Sequence, residues 1–138
     1  MEANDRNGQD EQQTVFQAIG GKQAVDALVE AFYDRVVVNE KLAPLFAESD
    51  MNEVRKKQKL FLTQFLGGPP YYSVEYGHPM LRFRHMSFEI TTDRAEAWLE
   101  CMREALDAVE LHGPARDFVF HRLTQTAHHM VNTGEAEA

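Results

Sequence analysis

Apolar residues recur along this chain at intervals of three and four, the spacing that places them on one face of an α-helix. In the first strong segment they are Val25, Leu28, Val29, Phe32 and Val36. No stretch alternates between apolar and polar residues over a useful length, and the sequence has no internal repeat. The pattern predicts an all-α protein with four substantial helices, over residues 22–38, 52–66, 93–110 and 114–132, and shorter helices at 14–19 and around Pro44.

Glycine and proline mark the boundaries between these helices. Gly20-Gly21 ends the first short helix, and Gly113-Pro114 separates the last two long ones, in the order that helix ends prefer. Residues 67–77, GGPPYYSVEYG, are too rich in glycine, proline and tyrosine to be regular, which predicts a loop. Asn52 is the expected cap of the second long helix, and Thr92 or Asp93 that of the third.

The composition is that of one soluble domain. The chain has 138 residues, of which 43% are hydrophobic and 26% charged, and both fractions are ordinary for a globular protein. Its net charge of −8 argues against nucleic acid or an anionic membrane as a main partner. No apolar run approaches the roughly 20 residues of a membrane span.

The ends of the chain and its single cysteine predict location and domain limits. The N-terminus is polar and acidic, unlike a signal peptide, and Cys101 cannot form an internal disulfide, so a cytoplasmic location is expected. The polar composition of residues 1–13 predicts a disordered lead-in, and residues 133–138 are expected to form a frayed tail. The folded domain is therefore expected over residues 14–132.

The segment around His85 is the first candidate for chemistry. Its sequence, LRFRHMSF, places one histidine among two arginines and large apolar side chains, which is an odd composition for a surface loop. Such a segment suits a flat apolar group with an anionic rim, and haem has an apolar ring, an iron that imidazole ligates and two carboxylates that guanidinium can pair with. Taken alone, a histidine in an apolar segment is more often a core or surface residue.

Gln58 is a second unusual position. It fills the slot between Val54 and Phe61 on the apolar stripe of its helix. A buried glutamine without partners costs roughly 1–3 kcal/mol, so this side chain either meets polar groups inside or reaches solvent at the margin of the stripe.

Several longer motifs resemble the group II truncated haemoglobins, in particular those of Bacillus-like bacteria. They are FYDRV around Tyr33, KKQKLFLTQFLGG around Gln58, GGPP-YY, GHPMLRFRH, FEIT and WLECM, and LTQTAHHM near the end. The similarity runs from about Phe16 to Met130. It implies a truncated globin fold, a two-over-two helical sandwich around one haem b (protoporphyrin IX iron).

The resemblance assigns roles residue by residue. His85 matches the proximal iron ligand, and Tyr33, Gln58 and Trp98 match the distal polar trio around a bound ligand. Three more positions match contacts to the haem propionates, and two match apolar residues packed on the porphyrin. The former are Lys57, Tyr72 and Arg84, and the latter are Phe46 and Phe61.

Val54 departs from the family pattern, because relatives often carry Thr, Ala or Ser one turn before this glutamine. Valine adds bulk and removes a hydroxyl, so ligand access is expected to differ. Donors aimed at a dioxygen ligand stabilise its partial negative charge, and an indole nitrogen can only donate. The trio therefore predicts tight binding of dioxygen and other diatomic ligands with slow release.

Other functions remain open from the sequence. The haem protein could act as a peroxidase or nitric oxide dioxygenase with an external reductase, since the chain carries no flavin or NAD module. Tyr33 could itself ligate ferric iron in a six-coordinate redox or sensor protein. A different class is a haem-free helical interaction module, against which the joint presence of His85, Tyr33, Gln58, Phe61 and Trp98 argues. The chain is expected to be a monomer or a homodimer.

Overall fold

A computed structural model describes residues 13–79 and 89–132 of the chain. Within these residues the secondary structure is helical throughout, with six α-helices and one 3₁₀ helix at Ala43–Phe46. The α-helices are α1 (Val15–Ile19), α2 (Gly21–Val36), α3 (Met51–Phe65), α4 (Tyr71–Tyr76), α5 (Thr92–Ala108) and α6 (Pro114–Met130). The expected lead-in up to Gln12, the tail from 133 to 138 and the segment 80–88 lie outside the described residues.

The four long helices and both short ones are confirmed, each with small differences at its ends. α3 begins one residue before Asn52, because the carboxylate of Asp50 accepts hydrogen bonds from the amides of Asn52 at 3.0 Å and Glu53 at 3.4 Å. α5 is capped by Thr91, whose hydroxyl accepts from the Arg94 amide at 3.1 Å. The expected caps at Asn52 and at Thr92 or Asp93 were therefore wrong by one or two positions.

The loop predicted over residues 67–77 was wrong in its second half, where α4 forms. Its helix is tied to α3 by the Gln64 side chain, which donates to the Ser73 hydroxyl at 2.8 Å and accepts from the Ser73 amide at 2.9 Å. A helix of six residues gains little from local propensity, so this tertiary anchor decides its conformation.

The long helices pack as two layers, with α2 and α3 in one and α5 and α6 in the other. α2 lies at the centre, in contact with both α3 and α5, and α5 also packs along α6. This arrangement confirms the two-over-two helical sandwich. The core contains several side chains with almost no exposure, namely Val25, Leu28, Val36, Leu106 and Val119.

Two glycine pairs, Gly20-Gly21 and Gly67-Gly68, shape the connections around α1. Gly20 has a φ of 121° between α1 and α2, a conformation that side chains with a Cβ rarely adopt. At Gly68 an added Cβ would lie 2.8 Å from the Thr63 methyl and 2.9 Å from the Phe16 ring. The close approach permits the Phe16 amide to bond the Leu66 carbonyl at 2.8 Å, which holds α1 against the end of α3.

Among residues 13–79 and 89–132, no helix has the length and apolar character that a membrane span requires.

Candidate functional site

Tyr33 is the most deeply buried polar aromatic residue of the predicted site. It lies on the inner face of α2 with 4% of its surface exposed. Its ring meets Phe32 edge-on at 4.8 Å between centroids and Phe46, from the 3₁₀ helix, at 6.0 Å. The helical period of α2 therefore places Tyr33 inward, and Phe46 supports its ring from a separate segment.

The hydroxyl of Tyr33 makes no hydrogen bond to any other described residue. The described part of the chain contains no fully buried side-chain nitrogen or oxygen that lacks a partner, so this hydroxyl must face accessible space. Burial raises the pKa of Tyr33 far above its ordinary value, and the nearby Arg55 charge opposes that rise. Tyr33 is thus a neutral phenol at physiological pH, with its O–H available to donate.

Trp98 reaches the same region from the other layer of the fold. It lies on α5, half-buried, and its ring contacts Phe32 at 4.8 Å between centroids. Phe32 therefore touches both Tyr33 and Trp98. The indole N–H makes no hydrogen bond to another described residue, so Trp98 is a second residue that contacts Phe32 and carries a donor without a described partner.

Two further predicted site residues, Val54 and Gln58, lie on α3. Val54 and Gln58, one turn apart, are both half-buried, and Val54 packs against the core. The Gln58 amide has no hydrogen-bond partner within the described residues. Gln58 therefore lies at the margin of the stripe, and no described residue supplies a hydrogen-bond partner for its amide.

Lys57 differs from the other cations of α3. Arg55, Lys56 and Lys59 each form ion pairs with carboxylates. The Lys57 ammonium has no carboxylate partner among the described residues, and it lies 5.1 Å from the centre of the Tyr76 ring. In a protein of net charge −8, an unpaired and half-buried ammonium suits an external anion.

An aromatic surface extends from α3 to α4. Phe61 contacts Phe65 in a stacked arrangement at 5.4 Å and Tyr72 edge-on at 5.8 Å. Phe61 and Phe65 are half-buried while Tyr72 is 7% exposed. The Arg122 guanidinium carbon lies 4.4 Å from the centre of the Phe65 ring, so Phe61 is the half-buried phenylalanine of this pair that suits contact with an apolar ring.

His85 and Arg84, predicted as iron ligand and propionate contact, lie outside the described residues. The chain resumes at Glu89, and Ile90 is fixed there by a reciprocal pair of bonds. The Ile90 amide donates to the Asn132 side chain at 3.0 Å, and the Asn132 amide donates to the Ile90 carbonyl at 2.9 Å. The segment that carries His85 therefore leads into a firmly held start of α5.

Two neighbours of Tyr33 were missed as functional residues by the sequence analysis. Phe32 was assigned only to the apolar stripe, although it touches both Tyr33 and Trp98. Arg55 was not singled out, although its guanidinium carbon lies 6.0 Å from the centre of the Tyr33 ring. The available signal was an arginine beside Val54 and two acidic residues, Glu30 and Asp34, at helical spacing on α2.

Comparison with known proteins gives consistent matches over the folded part. The model of the bacterial-like globin family matches residues 14–132. The chain is 54% identical over 122 residues to the group 2 truncated hemoglobin YjbI of Bacillus subtilis, covering 88% of this chain and 91% of that protein.

Two crystal structures share the fold. The group II truncated hemoglobin of Bacillus anthracis superposes with a TM-score of 0.86 at 54% identity, covering 89% of this chain and 99% of the other. The truncated oxygen-avid haemoglobin of Bacillus subtilis gives 0.83 at 52% identity, covering 87% and 100%. The family implies haem-based binding of diatomic ligands such as oxygen. The chain therefore belongs to the bacterial-like globins and, within them, to the group II truncated haemoglobins.

Proposed function

We propose that this chain, over residues 14–132, holds haem b with His85 as the iron ligand and binds dioxygen tightly with slow release. Bound haem supplies an iron that takes up dioxygen reversibly and shifts partial negative charge onto it. The observation that carries the proposal is the Tyr33 hydroxyl, which belongs to a buried residue, has no described hydrogen-bond partner and faces accessible space.

The distal side is assigned to three polar groups. Tyr33 and Trp98 both touch Phe32, and each carries a donor without a described partner. Gln58 adds an amide from α3. Hydrogen bonds to charged groups are worth about 1.5–3 kcal/mol each, so two or three of them would slow ligand release strongly. The Bacillus subtilis relative is described as oxygen-avid, which supports the same behaviour here.

The cofactor contacts are assigned to the remaining residues. Phe46 and Phe61 would pack against the apolar ring of the haem, and Val54 would limit ligand access from its position one turn before Gln58. Lys57, whose ammonium has no described carboxylate partner, would bind a haem propionate, and the family resemblance gives the same role to Tyr72 and Arg84. Arginine and lysine both suit this role, because carboxylates form strong charge-assisted bonds with them.

Slow release favours oxygen chemistry or sensing over transport. Peroxidase or nitric oxide dioxygenase activity would need an external reductase, and cytoplasmic location and oligomeric state stay predictions from the sequence. A helical interaction module without haem remains the alternative class. Such a module would not require two residues that both contact Phe32 and carry donors without described partners, as Tyr33 and Trp98 do.

An absorption spectrum of the purified protein tests the proposal directly. We expect a Soret band, a five-coordinate ferrous form and uptake of oxygen. His85→Ala should lose the iron–imidazole spectrum, whereas His121→Ala, at an exposed position of α6, should keep it. Absence of a haem band even after reconstitution with haemin would refute the proposal and leave the interaction module.

A further inference from the structure

Arg55 is an enclosed cation at the contact between α2 and α3. Only 18% of its side chain is exposed, and its guanidinium pairs with the Glu30 carboxylate and, at 3.2 Å, with the Asp34 carboxylate. The same guanidinium donates to the Glu30 main-chain carbonyl at 3.3 Å. Glu30 lies three residues before Tyr33 and Asp34 one residue after it, so the ion pairs hold Arg55 against the helical turn that contains Tyr33.

These ion pairs hold the positive charge of Arg55 close to the Tyr33 ring. The guanidinium carbon lies 6.0 Å from the centre of the Tyr33 ring, within the range of a cation–π contact. A cation beside a phenol favours its more negative form and makes its hydroxyl a stronger donor. The Arg55 charge lowers the pKa of Tyr33, whereas burial, the larger effect, raises it.

The other charged groups near this contact are already paired. Glu30 also binds Lys59 at 2.6 Å, and the pKa of Glu30 is lowered by its bonds to Lys59 and Arg55. Lys59 thus shares a carboxylate with Arg55 but has no contact with the Tyr33 ring among the described residues. Lys59 therefore serves as a matched control for the ion pair without the cation–ring contact.

We propose that Arg55 is a positioning residue for ligand discrimination: held by Glu30 and Asp34, it fixes Tyr33 and strengthens its hydroxyl as a donor to a negatively polarised ligand. The inference rests on the proposed function, because it assumes that Tyr33 faces the bound ligand. It specifies the ligand class that the site favours, since dioxygen gains negative charge on binding whereas carbon monoxide gains little. Arg55 therefore slows the release of dioxygen and has a weak effect on carbon monoxide.

The test compares Arg55→Met, Arg55→Lys and Lys59→Met in wild-type and Tyr33→Phe backgrounds. Arg55→Met should speed dioxygen release by about threefold to tenfold, the range expected when a donor near a cation loses part of its strength. Arg55→Lys keeps the charge and should stay within about twofold, as should Lys59→Met. In the Tyr33→Phe background Arg55→Met should have no further effect, because the two changes act on one interaction.

A spectroscopic readout separates an electrostatic role from a merely structural one. The C–O stretching frequency of the carbon monoxide complex rises when positive field at the ligand weakens, so Arg55→Met should raise it and Lys59→Met should not. Urea unfolding of the apoprotein gives the stability of every variant independently of haem. If Arg55→Met proves unstable, Arg55→Gln takes its place, because it removes the charge while keeping hydrogen-bonding groups, and it should speed dioxygen release and raise the C–O stretching frequency in the same way.

Two failures are distinguishable. If Tyr33→Phe leaves dioxygen release unchanged, the proposed distal role of Tyr33 is wrong. If Tyr33→Phe accelerates release but Arg55→Met has the same effect in both backgrounds, or Arg55→Lys behaves like Arg55→Met, the role of Arg55 is overturned while the proposed function stands.

Discussion

Replacing Tyr33 with phenylalanine removes one oxygen atom from the centre of the candidate site. The ring contacts with Phe32 at 4.8 Å and Phe46 at 6.0 Å are kept, and no hydrogen bond to a described residue is lost. A hydroxyl that bonds protein groups contributes about 0.5–1.5 kcal/mol to stability. The apoprotein of Tyr33→Phe should therefore unfold with a free energy within about 0.5 kcal/mol of wild type.

The effect on ligand release should be much larger. A hydrogen bond to a charged acceptor is worth about 1.5–3 kcal/mol, and each 1.4 kcal/mol is roughly a factor of ten. Tyr33→Phe should thus accelerate dioxygen release by about 10- to 150-fold. The assay is stopped-flow displacement of dioxygen by excess carbon monoxide, combined with urea unfolding of the apoprotein at the same pH.

Tyr76→Phe is the matched control for this prediction. The Tyr76 hydroxyl donates to the Glu53 carboxylate at 3.2 Å near the surface, so its loss should leave dioxygen release within about twofold. An unchanged release rate in Tyr33→Phe would refute the reasoning. So would a loss of apoprotein stability above about 1.5 kcal/mol, because it would mean that the hydroxyl serves the protein and not the ligand.

Three further changes test the fold that supports the site. Leu106→Ala, at a core position with no exposure, should lower the unfolding free energy by about 2–5 kcal/mol in urea titrations. Asn132→Ala leaves the buried amide of Ile90 without its 3.0 Å acceptor and should cost about 1–3 kcal/mol, with faster haem transfer to apomyoglobin. Arg116→Met removes the partner that holds the pKa of Asp107 below its ordinary 3.8. In wild type the paired carboxylate stabilises the fold above pH 3.8, and this stabilisation is lost as the pH falls and the carboxylate is protonated. The free energy of unfolding of the variant should therefore fall less steeply below pH 3.8 than that of wild type.

Each of these has a control and a result that would contradict it. Val74→Ala, at an exposed position, should leave stability within about 0.5 kcal/mol; a similar small effect for Leu106→Ala would disprove its core role. Asn52→Ala changes an exposed side chain and should not affect haem transfer. If Arg116→Met and wild type lose stability in parallel below pH 3.8, the Asp107 pair does not contribute.

The prediction of site residues from the sequence depended on two kinds of information. Helical periodicity placed Phe61 on the stripe of α3, because burial of an apolar face repeats every three to four residues, but it left Tyr33 outside the apolar stripe of α2, where the structure buries it. Their roles came from resemblance, since no spacing rule relates Tyr33 to Trp98 across more than sixty residues of chain. The contact of both with Phe32 depends on how α2 crosses α5.

Local sequence was least reliable where tertiary contacts override propensity. Residues 71–76 follow a Gly- and Pro-rich run and read as a loop, yet they form α4 because Gln64 on α3 bonds Ser73. Helix caps were misplaced for a simpler reason. Several neighbouring residues can cap a helix, and the backbone conformation that selects one of them at Asp50 or Thr91 is set by the chain before it.

By itself the sequence determined the helical class, the number of long helices, the glycine breaks and, through its motifs, the globin family, because these depend on local periodicity and on residue identities. The tertiary structure alone decided which polar side chains have no described protein partner and which are held in place by ion pairs. Tyr33 and Arg55 illustrate the difference: one hydroxyl faces accessible space, and one guanidinium is held by Glu30 and Asp34 beside the same ring. Such pairings arise from side chains on separate helices, and only helix packing brings those helices together.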